Sequence, residues 1–192
     1  MPLNDLGNPR WTGEFRVRSM DLDIDGRLAP ASLLGLLQEA AENHADRLGV
    51  GLRQLLATGR TWMLARMRVS FLAWPSPGDR VIVTTWPAGA RGRTLAYRDF
   101  ICIGAEGSPL IMRATSEWLM VKVADNRIAR LPPEIMALAS ENVVRVDVPF
   151  IEMPDADWEG CWQAEIPVRR ADIDINRHVN NHIVDFPKLC VV

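Results

Sequence analysis

Apolar residues recur at Leu33, Leu34, Leu37, Ala40, Ala41, Ala45 and Leu48, the spacing of one buried helical stripe, and predict a helix over residues 32–48. Pro30 ahead of it and Gly49 behind suit a helix entry and exit. Before the helix, residues 14–18 (EFRVR) alternate and predict a short strand, followed by an Asp-rich loop. Beyond residue 60 the period changes to two, with β-branched content. Residues 61–74, 79–89, 93–104 and 108–123 predict four strands in meander, with PSPGD, AGARG and AEGSP as their turns. One long helix wrapped by an antiparallel sheet accounts for this order, which makes the fold class α+β. Residues 124–160 carry LPPE and scattered acids and read as a connector, with a short helix over 133–140.

A repeat changes the picture of one domain. VRSMDLDIDGRL, residues 17–28, returns as VRRADIDINRHV, residues 168–179, with five of twelve positions identical. Both copies follow a strand-like stretch, which points to a duplicated domain. The expected layout is a complete first domain over 10–135, a linker over 136–160 and the start of a second domain over 161–192. Only a short tail follows the second copy, and Pro187 would break a helix there.

Composition excludes more than it suggests. The 192 residues are 48% apolar and 24% charged, as in ordinary globular domains. Twenty-two Lys and Arg against 24 Asp and Glu offer no bulk electrostatic case for nucleic acid or an anionic membrane. No apolar run approaches the ~18 residues that a membrane span needs, and the start lacks a hydrophobic signal core. Cys102, Cys161 and Cys190 are odd in number and form no CxxC pair, so the chain reads as cytoplasmic with reduced thiols.

Three constellations could carry chemistry. Asp21, Asp23, Asp25 and Gly26 open like a calcium loop, but Ser32 stands where the bidentate Glu belongs, so a polar loop capping backbone amides is the favoured reading. His178 and His182 lack the Glu of HExxH, and Cys190 sits too near the end to be held as a nucleophile; no metal or cofactor is expected. The second copy differs from the first in a pointed way: Asp25 becomes Asn176 and Arg27 becomes His178. Asp174, Asn176 and His178 then form a carboxylate, an amide and an imidazole in one tight loop. Such a set can orient and deprotonate water and donate to an oxyanion, and a plain capping loop remains the alternative.

ADIDINRHVNN resembles the signature of acyl-acyl-carrier-protein thioesterases, in which a DxDxNxHVNN stretch opens the second of two hotdog domains. QEAAENHADRLG, GRTWMLARMRVS, GDRVIVTTWP, YRDF and RATSEWLMV followed by RLP are similar to the same family in order. The resemblance implies a double hotdog that hydrolyses fatty acyl-acyl-carrier protein, with Asp174, Asn176 and His178 as the catalytic set. It implies an acyl chain held between helix and sheet, with Leu37, Ala41, Trp62, Leu64 and Trp86 as lining candidates and ordinary core as their alternative role. Acyl-carrier protein is acidic, so Arg66, Arg68, Arg91 and Arg93 are docking candidates. The family also carries a Glu well beyond the His, whereas this chain ends fourteen residues after His178. The expectation is therefore a shortened second domain, weak activity and a homodimer or larger assembly that covers the exposed flank. A non-catalytic acyl-binding module and a thioesterase for coenzyme A esters remain the competing readings.

Overall fold

The computed structural model describes residues 10–105, 109–138, 145, 146, 148, 165, 167–174 and 178–180. Pro30 opens the long helix, α1 (Pro30–Arg47), where its missing N–H costs nothing because first-turn amides lack helical partners. The helix closes over Gly49, whose φ of +74° suits a residue without Cβ. Gly49 N–H donates to Asp46 O at 3.0 Å and Val50 N–H to Ala45 O at 2.9 Å, satisfying carbonyls that the last turn leaves open. The predicted helix is thus present, two residues longer at its start.

Five antiparallel strands form one sheet: β1 (Trp11–Arg16), β2 (Arg60–Phe71), β3 (Arg80–Arg91), β4 (Leu95–Gly104) and β5 (Leu110–Lys122). Their order is β1-β3-β4-β5-β2. Only β3, β4 and β5 form a meander; β2 pairs with β5 at the far edge, not with β3. The expectation of four sequential hairpin neighbours is corrected here. Residues 72–79 do not close a hairpin but bridge the width of the sheet. Their Pro and Gly build a local turn, Asp79 N–H to Ser76 O at 3.1 Å, that docks on Val17 after β1. Local turn chemistry is the same in both arrangements, and the choice between them rests on which edge is left for β2 to pair.

The period-two pattern sorts the strands into an inner face toward α1 and an outer face. Leu33, Leu37 and Ala40 of α1 pack against inner residues Val81, Val83, Phe100, Cys102, Met112 and Ala114 in one buried cluster. A second cluster gathers Leu55, Met120, Ala129, Leu131 and Ile135 at the other end of the sheet. Two short helices serve it. One is α2 (Leu52–Ala57), capped where Leu52 N–H donates to Glu42 Oε1 at 2.7 Å. Sequence periodicity missed α2 because six residues are too few to display a stripe. The other is α3 (Pro133–Leu138), the short helix expected in the connector.

The outer face is covered too. Asp99, fully buried there, accepts from Val146 N–H at 2.7 Å and faces the Arg145 guanidinium at 3.4 Å, while Arg145 lies 4.5 Å from the Tyr97 ring. Arg145 and Val146, both within the segment expected to be a linker, thus pack against β4 of the sheet.

Leu37 is 0% exposed in the main cluster, which makes it core. Leu37→Ala is expected to cost about 2–5 kcal/mol in chemical denaturation, the range for a truncated core leucine that leaves a cavity.

Candidate active site

Among the described residues, the two copies of the repeat share a turn, an Arg–Asp clasp and a bridge. Ser19–Asp21 and Arg170–Asp172 are each one 3-10 turn. Arg18 N–H and Nη2 donate to the two oxygens of Asp21 at 2.9 and 2.8 Å; Arg169 does the same to Asp172 at 2.8 Å in both cases. Hydrogen bonds from these arginines hold both carboxyls below the usual carboxylate range. Both aspartates are buried. The loop beyond is pinned by a bridge between Leu22 and Leu28, matched by Ile173 and Val179. Asp23 Oδ1 accepts from Asp25 N–H and Arg27 N–H at 3.0 Å, the capping role read from the sequence. Asp174 repeats it: its Oδ1 accepts from His178 N–H at 3.1 Å, and its own N–H donates to His178 O at 2.8 Å.

Asp174 thus fixes the backbone that carries His178 whatever else it does. His178 is exposed, and Asn176 lies outside the described residues. Asp174 also reaches a cavity of about 340 Å³ alongside α1, together with Asn180. Its walls include Ala41 and Ala45 of α1, Trp62 of β2, Arg98 of β4 and Trp118 of β5. The second repeat and the first domain therefore meet at one space.

The lining candidates divide. Ala41 and Trp62 face the cavity, and Trp62 Nε1–H is tied to Val50 O at 3.0 Å. Leu37 lies in the main core, and half-buried Leu64 lies outside the cavity wall. Trp86 is on the outer face: its neighbour Thr85 points inward to Arg98, so Trp86 points away, 1% exposed, with the Arg10 guanidinium 4.4 Å from its ring. Strand alternation separates it from any space beside α1.

Arg98 is the group that motif reasoning passed over, although alternation already set it on the same face as Phe100 and Cys102. Its Nη1 donates to Thr85 Oγ1 at 3.2 Å and lies 3.1 Å from His44 Nδ1. An arginine only donates, so His44 Nδ1 accepts and the ring proton sits on Nε2. Burial, and then the charges of Arg98 and Arg47, push His44 down to about 3, so it is neutral at physiological pH. Burial brings Arg98 down to about 10, with Glu42 pulling the other way, so it keeps its charge. Cys102, pushed up to about 12 by burial, is an inert core thiol. Among the described residues no cluster of three or more His, Cys, Asp or Glu is arranged to hold a metal ion, and no helix is long and apolar enough to cross a membrane.

A single helix laid on a five-stranded antiparallel sheet, with a cavity between them, defines the hotdog fold of thioesterases. The sheet and helix superimpose on the 12:0-ACP thioesterase from Umbellularia californica with a TM-score of 0.78, at 24% identity over 91% of this chain and 72% of that one. The family profile of the acyl-ACP thioesterase N-terminal domain matches residues 9–139, and that of the C-terminal domain matches 157–184. The chain belongs to the acyl-ACP thioesterase family. Similar curated proteins include the chloroplastic palmitoyl-acyl carrier protein thioesterase of Gossypium hirsutum, 29% identical over 89% of this chain and 44% of that protein. The chloroplastic oleoyl-acyl carrier protein thioesterase 2 of Arabidopsis thaliana is 30% identical over 88% of this chain and 50% of that protein. The chain thus spans about half the length of these relatives or less.

Folded His44 is neutral down to about pH 3, whereas an unfolded histidine takes up its proton near 6.5. Its contribution is complete above about pH 6.5 and is lost as pH falls toward 3, because the unfolded chain binds the extra proton. His44→Gln is therefore expected to flatten the fall in melting temperature between pH 6.5 and 4, read by thermal denaturation against the parent.

Proposed function

We propose that the chain hydrolyses the thioester of a fatty acyl-acyl carrier protein and releases the fatty acid. The observation that carries this reading is the shared cavity. Asp174 and Asn180 of the second repeat open on the same space as Ala41, Trp62 and Trp118 of the first domain. An apolar wall suits an alkyl chain, and the polar loop stands where the thioester would enter. Family membership supplies the reaction class, and the names of the curated relatives supply the carrier.

In this reading the Asp174 carboxylate orders the loop and, with the His178 imidazole, takes the proton from the attacking water. Asn176 donates to the thioester oxygen as negative charge builds there. The tetrahedral intermediate then collapses with the carrier thiolate leaving, and the thiolate recovers a proton. Burial of the acyl chain against Ala41 and Trp62 stabilises binding, at roughly 25 cal/mol per Å² of apolar surface removed from water.

Release of the carrier thiol from acyl-carrier protein, followed with a thiol reagent, tests the reaction. His178→Ala is expected to lower kcat/KM at least ~10²-fold, the usual worth of a positioned acid–base group. Asp174→Asn keeps an oxygen for the His178 amide but removes the charge; a loss equal to that of Asp174→Ala assigns the effect to proton transfer and not to loop order. Undiminished rates in all three variants would defeat the assignment.

Chain selection provides a second test of the same cavity. Ala41→Leu adds bulk to its wall and is expected to shift preference toward shorter acyl chains, while Trp86→Phe, on the outer face, leaves the preference as it was. The ratio of kcat/KM across a ladder of chain lengths reads both.

A further inference from the structure

Three backbone segments meet at one end of the sheet and carry an unusual density of positive charge. Arg60, which begins β2, pairs in register with Lys122 at the end of β5. After β5 the chain turns at Asn126, whose φ of 54° is left-handed, and runs back along β5. Val121 bridges Ile128, and Ala129 N–H donates to Met120 O at 2.7 Å. This return segment carries Arg127 and Arg130. Leu131 N–H then donates at 2.7 Å to the carbonyl of Arg93, in the β3–β4 turn beside Arg91.

Six cations, Arg60, Arg91, Arg93, Lys122, Arg127 and Arg130, therefore occupy a surface a few strand spacings wide, at about 4.8 Å per strand. Five are exposed and Arg60 is half-buried. Among the described side chains here the carboxylate is Asp125, 3.6 Å from Arg127. The whole chain is slightly acidic at −2, so this surface runs against the bulk charge. It also holds two apolar side chains that protein elsewhere does not cover, Val123 at 50% and Ile128 at 56% exposure.

The position of the surface gives it meaning. Arg60 immediately precedes Thr61 and Trp62, both on the wall of the cavity, so the basic surface begins one residue, about 3.4 Å, from it along β2. Arg130 lies just ahead of Ile135 on the opposite wall. Arg66 and Arg68, by contrast, point outward from the middle of the edge strand β2, in register with Glu117 and Thr115, and do not join this surface.

We infer that this basic rim, which also carries the exposed Val123 and Ile128, is the docking surface for the acidic helical face of the acyl carrier protein. The inference rests on the carrier as substrate, as proposed above. The occupant follows from the charge and the exposed apolar side chains together. An acidic amphipathic helix offers carboxylates for the arginines and aliphatic side chains for Val123 and Ile128. A nucleic acid offers no match for exposed aliphatics, and among the described residues the rim has no aromatic side chain on which a base could stack.

Steady-state kinetics of the full chain test this on two substrates in parallel: fatty acyl-acyl carrier protein, and the same acyl group on N-acetylcysteamine, which has no protein part. The triple variant Lys122→Glu, Arg127→Glu, Arg130→Glu is expected to raise KM for the carrier substrate about ten-fold or more at low salt. It should leave kcat and the small thioester unchanged and flatten the salt dependence of KM. Arg16→Glu, an exposed change on β1 at the opposite edge, should do none of this. Unchanged KM in the triple variant, or equal losses on both substrates, would overturn the inference. Direct binding of unacylated carrier protein, by fluorescence anisotropy, separates the surface from the reaction. Binding by the parent that the triple variant loses upholds the rim even if no thioester is hydrolysed, which would count against the proposed reaction alone. Hydrolysis of the small thioester without carrier binding, or tighter binding of a DNA oligonucleotide than of the carrier, would overturn the rim.

Discussion

A guanidinium between a helix and a sheet has to find acceptors, and the way Arg98 finds them organises the inner face of this domain. Arg98 takes Thr85 on the neighbouring strand and the neutral His44 on α1, while its own carbonyl accepts from Ser116 Oγ at 3.0 Å. Trp118 Nε1–H adds a further bond to that hydroxyl at 2.7 Å. The result is a polar belt across β3, β4 and β5. On one side lie Val83, Phe100 and Ala114 in the main core; on the other lie Ala96 and Met120 beside the cavity. Every member needs the others, since a buried donor left without its acceptor costs about 1–3 kcal/mol. The belt marks where packing stops and the cavity begins.

The duplicated loop solves a different problem with the same economy of parts. A buried aspartate pinned by the arginine three residues before it starts the turn, and a second aspartate, two residues on, gathers the amides of the loop. The same frame accommodates different side chains four residues after that second aspartate: Arg27 in one copy, His178 in the other. In the proposed reading the same frame carries chemistry in the second copy, whereas in the first it caps backbone. The same geometry also explains why Asp174 is a difficult residue to interpret by deletion alone, because its Oδ1 is committed to the His178 amide.

The candidate site and the basic surface are built on elements that the two apolar clusters and the backbone ladder hold in place. The cavity wall is drawn from α1 and from β2, β4 and β5, each anchored by the main core or by the Leu55–Met120 cluster. The basic rim stands on strand ends and on a turn held by backbone hydrogen bonds. Side chains there can vary for binding without disturbing the sheet, which is the usual division between scaffold and function. Beneath β4, the buried Asp99 carboxylate takes its partners from farther along the chain, the Val146 N–H and the Arg145 guanidinium.

By sequence alone, the long helix, the strands and the repeat were legible, because each rests on a local period or an identical local frame: 3.6 for α1, two for the strands, and the Arg–Asp–Asp spacing for the loop. Even Arg98 was readable in principle as a cation at an inward position of β4. What tertiary structure alone decided was adjacency. The sequence of β2 reads the same whether it pairs with β3 or crosses to β5, and Trp86 looks as suitable for an apolar wall as Trp62. Strand order put Trp62 beside the cavity, and alternation next to Thr85 turned Trp86 to the far face. Arg91 and Arg93 share one end of the sheet with Arg127 and Arg130, while Arg66 and Arg68 do not, because backbone hydrogen bonds such as Leu131 N–H to Arg93 O join segments distant in sequence. Local periodicity specifies which face a residue shows; only long-range pairing specifies what that face meets.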